Sequence, residues 1–501
     1  MPQITLALSD IPEGVPHKPE DADVILIRAG DSVTALGHLC PHYGLPLAKG
    51  VIRDGALICP FHHACFDART GRQAQPPGHG DLSRFAVTVA DGRVTVELPA
   101  DAVPHAPPAH GGQGLDTRRV VLAGAGAAAE ECALRLRESG FEGVIEMIAP
   151  GTLPPYDRTM LSKAALAGKK GAADLVLTDA EGLAARDIAR IDGRIAKVEP
   201  GRVTLADGGT HAFDRLLVAP GGEPIRPDLP GIDLAGIHTL RSVEEAEALS
   251  EAAGAAKRVA LIGGGFIGME GALTLAKRGC DVTVVMREDV PLERVLGTRV
   301  GRAIMAEHED AGVRFVAGAE VEGFDGDGAV SAIRLKGGAP VEADLVVLAM
   351  GVKPATGAIE GLPLEKDGGV RVAEDLSVPG LDGVFVAGDC AHAPTPFGAA
   401  RIEHWRVARQ HGARVARGIA GGTAGLADIP FFWTALARQY RYLGHAEDWD
   451  EILFDGAPED GPFLARYVKD GQVMAALTAG RDADLAALHL RMAAASGPVP
   501  A

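Results

Sequence analysis

The sequence of 501 residues has few aromatic residues, fewer basic than acidic residues and no long apolar run, and these scarcities exclude several classes of function. Aromatic residues make up 4% of the chain, and lysine and arginine total 49 against 67 aspartate and glutamate residues. The resulting net charge of −18 argues against nucleic acid and against an anionic membrane surface as partners, because both require a basic face. No long apolar run occurs, so the sequence predicts no transmembrane helix.

Cysteine is also scarce, with six residues and no C-x-x-C pair. This pattern excludes a disulfide framework of the secreted type and predicts a reduced, cytoplasmic protein. The opening residues MPQITLALSDIPEG contain no basic segment followed by an apolar one, which agrees with that expectation. Cys132 stands alone, so we interpret it as a small buried apolar residue rather than half of a redox pair.

Two short motifs near the start of the chain contain residues that bind metals. Cys40 and His42 form C-x-H, and after a gap of sixteen residues Cys59 and His62 form C-x-x-H. Two thiolates and two imidazoles can bind a [2Fe–2S] cluster, with both cysteines on one iron and both histidines on the other. Zinc accepts the same ligands, although zinc-finger spacing pairs cysteine with cysteine and histidine with histidine. The spacing therefore favours the iron–sulfur cluster and leaves zinc as the alternative.

Two glycine-rich loops each follow an apolar strand and precede a helical segment. Their small residues are Gly124, Gly126 and Ala129 in the first loop and Gly263, Gly265 and Gly268 in the second. In such a loop the first glycine permits a tight turn, the second admits a pyrophosphate, and the third small residue allows the helix to pack on the strand. Two loops in this context predict two dinucleotides.

Other segments follow in an order that resembles a known family. They are PYDRTMLSK (155–163), LLVAPG (216–221), VVLAMGVKP (346–354), VFVAGD (384–389) and HWRVARQHG (404–412). Together with the glycine loops they resemble the FAD-dependent pyridine nucleotide reductases, in particular the ferredoxin reductases of oxygenase systems and the apoptosis-inducing-factor-like proteins. The N-terminal motifs resemble a Rieske domain, and the fusion resembles the Rieske-bearing apoptosis-inducing-factor-like subgroup over nearly the whole chain.

The resemblance implies a multidomain fold in which an all-β domain precedes two Rossmann-like α/β domains and a C-terminal α+β domain. The expected divisions are a Rieske domain (1–102), a linker (103–117), an FAD-binding domain (118–232 and 354–425), an NAD(P)-binding domain (233–353) and a C-terminal reductase domain (426–501). Independently, Asp91-Gly92 between two alternating segments predicts a β-hairpin.

The same resemblance assigns residues to FAD. Asp389 is expected to hydrogen-bond the ribityl chain and Arg158 to lie beside the phosphates. Gly388 and Trp433 are also expected to contact the cofactor. The alternative is that Arg158 is an ordinary surface residue.

Three residues are implied to be catalytic. Lys163 and Glu270 correspond to a lysine–glutamate pair beside the flavin, where nicotinamide docks, and Trp405 is expected near the nicotinamide pocket. A cation there can stabilise negative charge on the reduced ring, and the carboxylate can orient it. Glu270 could instead be only an acid in the first turn of a helix.

Three positions depart from the family pattern. Pro150 stands where an acid usually binds the adenosine ribose of FAD, so that contact must come from elsewhere. In the second unit Met286 replaces the acid that binds the NAD ribose and Arg287 follows it, which favours NADPH over NADH, although Glu288 and Asp289 lie close by. His63 stands where similar Rieske loops have glycine, which leaves the conformation of that loop open.

A run of arginines lies near the end of the reductase segment: Arg401, Arg406, Arg409, Arg414 and Arg417. It could steer an acidic electron-transfer partner. We favour the simpler interpretation that it is a solvated helix face.

These patterns predict an NAD(P)H-dependent FAD reductase that passes electrons through its own Rieske cluster to a protein acceptor, with an oxygenase component as the expected partner. The cluster histidines are expected to face solvent and to form the exit for electrons. A homodimer is compatible with the sequence. The alternatives are a redox-responsive signalling or scaffold protein and a small-molecule reductase of the nitrite type.

Overall fold

The computed structural model describes residues 3–106, 116–422 and 428–501. The predicted linker, 103–117, falls mostly outside the described residues, so its role as a linker stays a prediction. Among the described helices, none combines the length and the apolar character needed to cross a membrane.

Short strands build the N-terminal region. They are β1 (Gln3–Ala7), β2 (Val24–Ala29), β3 (Ser32–Gly37), β4 (Val51–Arg53), β5 (Ala56–Ile58), β6 (Cys65–Asp67), β7 (Gln73–Gln75), β8 (Asp81–Leu82), β9 (Arg84–Ala90), β10 (Arg93–Glu97) and β11 (His105–Ala106). One sheet has the order β1-β10-β9-β3-β2 and a second the order β4-β5-β6-β7. The predicted hairpin joins β9 to β10, where Asp91 and Gly92 both have positive φ, as a two-residue turn between twisted strands requires.

The region that follows contains both helices and strands. The elements up to residue 224 are β12 (Arg119–Ala123), α1 (Ala127–Glu138), β13 (Val144–Ala149), α2 (Ala172–Leu175), α3 (Ala180–Ala184), β14 (Ile188–Asp192), β15 (Ile195–Glu199), β16 (Arg202–Leu205), β17 (Thr210–Ala212), β18 (Arg215–Val218) and β19 (Gly222–Pro224). The next are β20 (Ile237–His238), α4 (Val243–Ala255), β21 (Arg258–Ile262), α5 (Phe266–Lys277), β22 (Asp281–Val285), α6 (Glu293–Asp310), β23 (Arg314–Val316), β24 (Val321–Asp327), β25 (Ala329–Leu335), β26 (Val341–Glu342) and β27 (Leu345–Leu348).

The remaining elements complete the chain. They are β28 (Val352–Pro354), β29 (Val370–Arg371), β30 (Val384–Val386), β31 (Ala391–Thr395), β32 (Gly398–Ala400), α7 (Trp405–Ala420), β33 (Phe431–Ala435), β34 (Gln439–Gly444), β35 (Glu451–Asp455), β36 (Phe463–Lys469), β37 (Gln472–Ala479), α8 (Asp482–Ala495) and β38 (Val499–Pro500).

Two parallel sheets form the cores of the Rossmann-like units. The first has the order β14-β13-β12-β18-β30 and the second the order β20-β27-β21-β22-β23. Their central strands are apolar on both faces, as expected for parallel sheets covered by helices. Because β30 comes from late in the chain, the first unit combines two separate chain segments.

The C-terminal region is an antiparallel sheet of order β33-β34-β37-β36-β35 packed with α8. The predicted fold class, an all-β Rieske domain before two Rossmann-like units and a C-terminal α+β region, is therefore confirmed. The N-terminal domain packs against this C-terminal region, where Ile58 and Cys65 share a buried cluster with Ala486 and Leu490 of α8.

Candidate redox site

Two loops of the N-terminal domain share one backbone geometry and carry the four predicted metal ligands. In each loop the cysteine N–H donates to the carbonyl five residues later, at 2.8 and 2.9 Å. Each cysteine carbonyl accepts from the N–H four residues later, at 2.9 and 3.0 Å. That fourth residue is left-handed in both, Gly44 with φ +68° and His63 with φ +56°. His63 thus adopts the conformation of the glycine that it replaces.

Contacts with the C-terminal region hold His63 in this conformation. Its ring stacks on Phe431 with centroids 3.9 Å apart, and its Nδ1 lies 2.7 Å from Nδ1 of His489. Both histidines are buried, and burial lowers the pKa of each well below the ordinary value. One of the two neutral rings therefore donates to the other. This loop is stabilised by the reductase region as well as by its own domain.

The four ligand side chains form a cysteine pair and a histidine pair. Cys40 and Cys59 are neighbours, and the interaction with Cys40 lowers the pKa of the Cys59 thiol. The rings of His42 and His62 lie edge to face with centroids 4.7 Å apart. Burial, followed by the charges of Arg441 and Lys163, lowers the pKa of His62 to about 3. The imidazoles are therefore neutral, which is the form that binds metal.

The buried Nδ1 atom of His42 shows whether these residues fit a cluster. Nδ1 of His42 is buried and has no hydrogen-bond partner, a costly state for a polar atom unless a metal takes the place of the partner. Within the described ranges, no three His, Cys, Asp or Glu side chains lie close enough together to hold a single metal ion. Two separate pairs suit a two-iron cluster better than one tetrahedral zinc, so the residues fit the predicted group.

The histidine pair faces the reductase region. The indole of Trp433, on β33, lies 4.6 Å from the ring of His62 and 5.4 Å from the ring of His42, centroid to centroid. His62 is only 8% exposed. The expectation that the cluster histidines face solvent is therefore wrong for His62, which β33 covers, whereas His42 is half-buried beside Trp433.

Tyr43 covers the other side of this pair. Its ring stacks on His42 with centroids 3.7 Å apart and is 36% exposed. Its hydroxyl donates to Asp157 at 2.5 Å and lies 3.1 Å from Thr159 Oγ1. Asp157 caps the short helical turn that leads to Lys163, so the first ligand loop contacts the segment that carries the predicted catalytic lysine.

A cavity of about 1370 Å³ runs between the two glycine loops and the C-terminal sheet. A Cβ on Gly124 would lie 2.2 Å from the carbonyl oxygen of Ala219, and one on Gly263 would lie 2.3 Å from that of Ala349. In contrast, a Cβ on Gly126 or Gly265 would meet no atom. The first glycine of each loop therefore allows close packing, and the second leaves open space at a helix N-terminus, where a pyrophosphate fits.

The third positions of the two loops serve packing. Ala129 is fully buried in α1, and a Cβ on Gly268 would lie 2.3 Å from the carbonyl oxygen of Gly263. Both helices can therefore lie close to the strand before them.

Lys163 and Glu270 meet at this cavity although 107 positions separate them. Lys163 Nζ lies 2.7 Å from Glu270 Oε2 and also donates to the carbonyl of Thr159 at 2.7 Å. The Glu270 carboxylate further accepts from Ser162 Oγ at 2.5 Å, from Thr434 Oγ1 at 2.7 Å and from a backbone N–H of β33 at 3.0 Å. Lys163 lies in a single π-helical turn, Leu161–Ala165, a feature common at functional sites.

The predicted FAD-binding residues Asp389 and Arg158 both line the cavity and are joined by Arg241, which the sequence did not indicate. Arg241 Nη2 donates to Asp389 Oδ2 at 2.5 Å, and Arg158 Nη1 donates to the carbonyl of Arg241 at 2.7 Å. Arg158 also lies 4.6 Å above the ring of Tyr156. Two guanidinium groups beside one carboxylate suit an anionic cofactor with hydroxyl groups.

Trp405 and Gly388 also line the cavity, from the start of α7 and from the VAGD turn. Gly388 has φ +71°, and its N–H donates to Nδ1 of His411 on α7 at 3.2 Å. Helix α7 lies close to α1, because a Cβ on Gly412 would reach within 2.2 Å of the carbonyl oxygen of Ala128. The turn that carries Asp389 is therefore attached to a buried helix.

The second dinucleotide unit opens to the surface. Met286 is buried beside Gly264, whereas the side chain of Arg287 is 68% exposed and lies 3.8 Å from Glu320. The side chain of Arg294 is 83% exposed and lies 3.3 Å from Glu288. Two accessible guanidinium groups therefore lie near the end of β22, the position where a ribose is usually read.

At the adenosine end of the first unit, Pro150 and Gly151 line the cavity with Arg190. Arg190 donates to the carbonyls of Ala149 at 2.9 Å and Gly151 at 2.8 Å, and its buried Nε has no partner. A polar side chain is thus present where the usual acid is missing, and only the fold reveals it.

The arginine run is not a solvated helix face. Arg406 and Arg409 of α7 are 0% and 1% exposed. Arg409 forms ion pairs with the buried Glu130 and Glu131 of α1. The earlier interpretation is therefore wrong for these two arginines, because α7 lies between α1, the N-terminal domain and β33.

Comparison with known proteins identifies the family. A model described as pyridine nucleotide-disulphide oxidoreductase matches residues 118–412, and a model described as Rieske [2Fe-2S] domain matches residues 2–86. The chain belongs to the pyridine nucleotide-disulphide oxidoreductases. This oxidoreductase also contains a Rieske domain, so the predicted family and the predicted enzyme class are both confirmed. In the described part of the chain no two cysteines form a disulfide bond, and Cys132 is buried.

The oxidoreductase is similar to curated proteins over most of its length. It is 33% identical to apoptosis-inducing factor 3 of Homo sapiens, covering 92% of this chain and 78% of that protein. It is 33% identical to the chlorobenzene dioxygenase ferredoxin reductase component of a Cupriavidus species, covering 76% and 94%. The solved covalent putidaredoxin reductase–putidaredoxin complex matches 77% of this chain and 95% of its own, with a TM-score of 0.72 and 29% identity.

Proposed function

We propose that this oxidoreductase uses NAD(P)H to reduce its own Rieske cluster and then a protein acceptor. The observation that carries this proposal is the position of Trp433, which lines the flavin cavity and contacts both cluster histidines. Bound FAD would accept a hydride and release single electrons, and the cluster would hold one electron at a time. A ring that touches both sites shortens the path between them.

The residues on the cavity side are arranged for hydride transfer. With FAD bound, Lys163 would place a positive charge beside the ring that gains negative charge on reduction, and Glu270 would hold that ammonium group in position through its own bonds to Ser162 and Thr434. Trp405 lies in the same cavity wall and would exclude water beside the nicotinamide. Catalytic roles for Lys163, Glu270 and Trp405 follow from this arrangement as part of the proposal.

Tyr43 is the exit that we propose for electrons. Trp433 occupies the reductase side of the histidine pair, whereas the ring of Tyr43 stacks on His42 and is partly exposed. An acceptor docking over Tyr43 would approach the cluster without displacing the N-terminal domain. The relatives named as a dioxygenase reductase component and as a reductase–putidaredoxin complex support a small redox protein or an oxygenase component as that acceptor.

We further propose NADPH as the preferred coenzyme. Arg287 and Arg294 expose their guanidinium groups near the end of β22, where Met286 replaces the usual acid. An arginine in place of an acid accommodates the 2′-phosphate that distinguishes NADPH from NADH.

The test is an anaerobic titration of the purified holoprotein with NADPH and then NADH, read by low-temperature EPR. The proposal expects the Rieske signal to appear rapidly under nucleotide, at lower concentrations of NADPH. A His62→Ala variant should lose reduction of a one-electron protein acceptor and keep NAD(P)H-driven reduction of a soluble dye. A signal that appears only with dithionite would refute transfer from flavin to cluster.

The match with apoptosis-inducing factor 3 covers both the Rieske and the reductase regions, and it favours one alternative, a redox-responsive signalling or scaffold protein. That function predicts slow turnover and a change of oligomeric state when nucleotide binds. Size-exclusion chromatography with and without NADPH distinguishes the two, since fast turnover at constant size supports the reductase.

A further inference from the structure

Two arginines from the reductase region hold the second ligand loop on either side of His62. Arg441, on β34, donates through Nε to the carbonyl of Phe61 at 2.7 Å. Arg406, on α7, donates through Nη2 to the carbonyl of His63 at 3.0 Å. The carbonyls directly before and after the ligand are therefore both bonded to guanidinium groups from outside the Rieske domain.

Arg406 brings a positive charge that no ion pair neutralises among the described residues. Its side chain is fully buried, and its other donors reach the carbonyls of Pro76 and Ile429, each at 3.0 Å. The carboxylate whose charge acts on it, Asp428, is itself bonded to Arg414 at 2.5 Å. A guanidinium group stays protonated in proteins, so the charge persists inside the fold.

Arg441 also donates to a carbonyl of the second ligand loop, but unlike Arg406 it forms an ion pair with a carboxylate. It is 6% exposed, and its Nη1 donates to Asp482 at 2.8 Å. Asp482 is partly exposed at the start of α8. The positive charge of Arg441 acts on Cys59 and His62, and the negative charge of Asp482 offsets part of it.

We propose that Arg406 and Arg441 are positioning residues that fix the second ligand loop to the reductase and raise the midpoint potential of the cluster. Reduction adds one electron, and therefore one negative charge, to the centre between Cys59 and His62. A nearby cation in a low-dielectric interior stabilises that reduced state. The reductase region would thus set the potential of the centre that it reduces. This inference rests on the proposed function only for the presence of the cluster.

The experiment is an EPR-monitored redox titration of the full-length holoprotein, in which dithionite supplies electrons through mediators. At the wild-type midpoint potential, Arg406→Gln should lower the ratio of reduced to oxidised cluster about tenfold. Arg441→Gln should lower it less, because Asp482 already offsets that charge. Asp482→Asn should raise the ratio, because it leaves the charge of Arg441 unopposed.

Arg137 provides a matched control. It is 4% exposed and, like Arg406, donates to backbone carbonyls, those of Phe141, Gly143, Arg186 and Asp187, but it lies in α1 and contacts neither ligand loop. Arg137→Gln should leave the midpoint potential unchanged. Arg406→Lys retains the charge and should restore most of the potential lost in Arg406→Gln, which a role in packing alone would not predict.

Two outcomes would overturn the proposal. One is a midpoint potential in Arg406→Gln equal to that of Arg137→Gln. The other is an unchanged or lowered potential in Asp482→Asn, which decides the matter even where Arg406→Gln does not retain its cluster. Because mediators reduce the cluster directly, these results are independent of whether NAD(P)H can reduce it.

Discussion

Trp433 and His62 lie edge to face with ring centroids 4.6 Å apart, and Trp433 at the same time forms part of the flavin cavity wall. The same strand continues to Thr434, whose hydroxyl binds Glu270 at 2.7 Å. Strand β33 therefore connects the Lys163–Glu270 pair with the histidine pair within two consecutive residues. The Rieske domain is held beside this strand by the stacking of His63 on Phe431 of β33 and by buried polar contacts of His63 with α8 and with Arg406 of α7.

Replacing Trp433 tests whether this contact conducts electrons. Trp433→Leu should slow NAD(P)H-driven reduction of the cluster about tenfold, because the ring that spans the cavity and the histidines is lost. Trp433→Phe keeps an aromatic ring and should slow it less. Stopped-flow absorbance and freeze-quenched EPR measure the rate. Flavin reduction in both variants serves as the control, and equal rates of cluster reduction in Trp433→Leu and wild type would contradict the route.

Tyr43 tests the proposed exit. Tyr43→Leu removes the ring that stacks on His42 and should slow reduction of an external one-electron protein about tenfold, with internal reduction of the cluster retained. Tyr43→Phe keeps the ring but loses the bond to Asp157, so it separates electron exit from domain docking. Steady-state reduction of the protein acceptor is the measurement. A Tyr43→Phe variant as slow as Tyr43→Leu would assign Tyr43 to docking instead.

Local patterns in the sequence predicted much of this architecture. The glycine loops, the ligand motifs and the hairpin at Asp91-Gly92 each depend on neighbouring residues, so their geometry could be inferred without the fold. The placement of Lys163 and Glu270 came from the resemblance, since nothing local connects positions 107 residues apart. The structure brings them within 2.7 Å, although their catalytic roles stay predictions.

The parts that sequence could not predict depend on packing between domains. Arg406 and Arg409 were predicted to be surface residues because charged side chains on a helix are usually solvated. In the structure both are buried, because other elements enclose α7 on several sides. The solvent exposure of the cluster histidines was expected from Rieske domains in general, but here Trp433 of β33 covers His62. Arg241 lies directly before Ser242, the N-cap of α4, and its bond to Asp389 follows only from the tertiary structure.

Lys163 and Glu270 can be tested through hydride transfer. Lys163→Ala should lower the rate of flavin reduction by NAD(P)H about a hundredfold, because a preorganised cation at the reacting ring is lost. Glu270→Gln should lower it less, since the amide oxygen can still accept from Thr434 and from the backbone N–H of Ala435, but the amide nitrogen no longer pairs with the lysine. Anaerobic stopped-flow measurement of flavin bleaching gives both rates. Wild-type rates in Lys163→Ala would remove the lysine from the mechanism.

Arg287 can be tested through coenzyme preference. Arg287→Glu should raise the KM for NADPH about tenfold, because a charge-assisted bond to the 2′-phosphate is replaced by repulsion. The KM for NADH should stay constant or fall. Arg302→Glu makes the same charge change at an exposed position of α6, eight residues after Arg294, and serves as the control. Parallel changes in the two KM values would show that Arg287 does not distinguish the coenzymes.

The buried His411 should make the stability of the protein depend on pH. Its Nδ1 accepts from the N–H of Gly388, which requires a neutral ring, and burial lowers its pKa to about 4. The unfolded chain binds a proton near pH 6.5 and the folded chain does not, so stability falls as pH decreases from about 6.5 to about 4. Between pH 7 and pH 5 this histidine should cost about 2 kcal/mol of unfolding free energy. Denaturant titrations followed by flavin fluorescence should show a shallower pH dependence in His411→Gln, whose amide oxygen can accept without titrating. An identical pH dependence in the two proteins would exclude His411 as the group responsible.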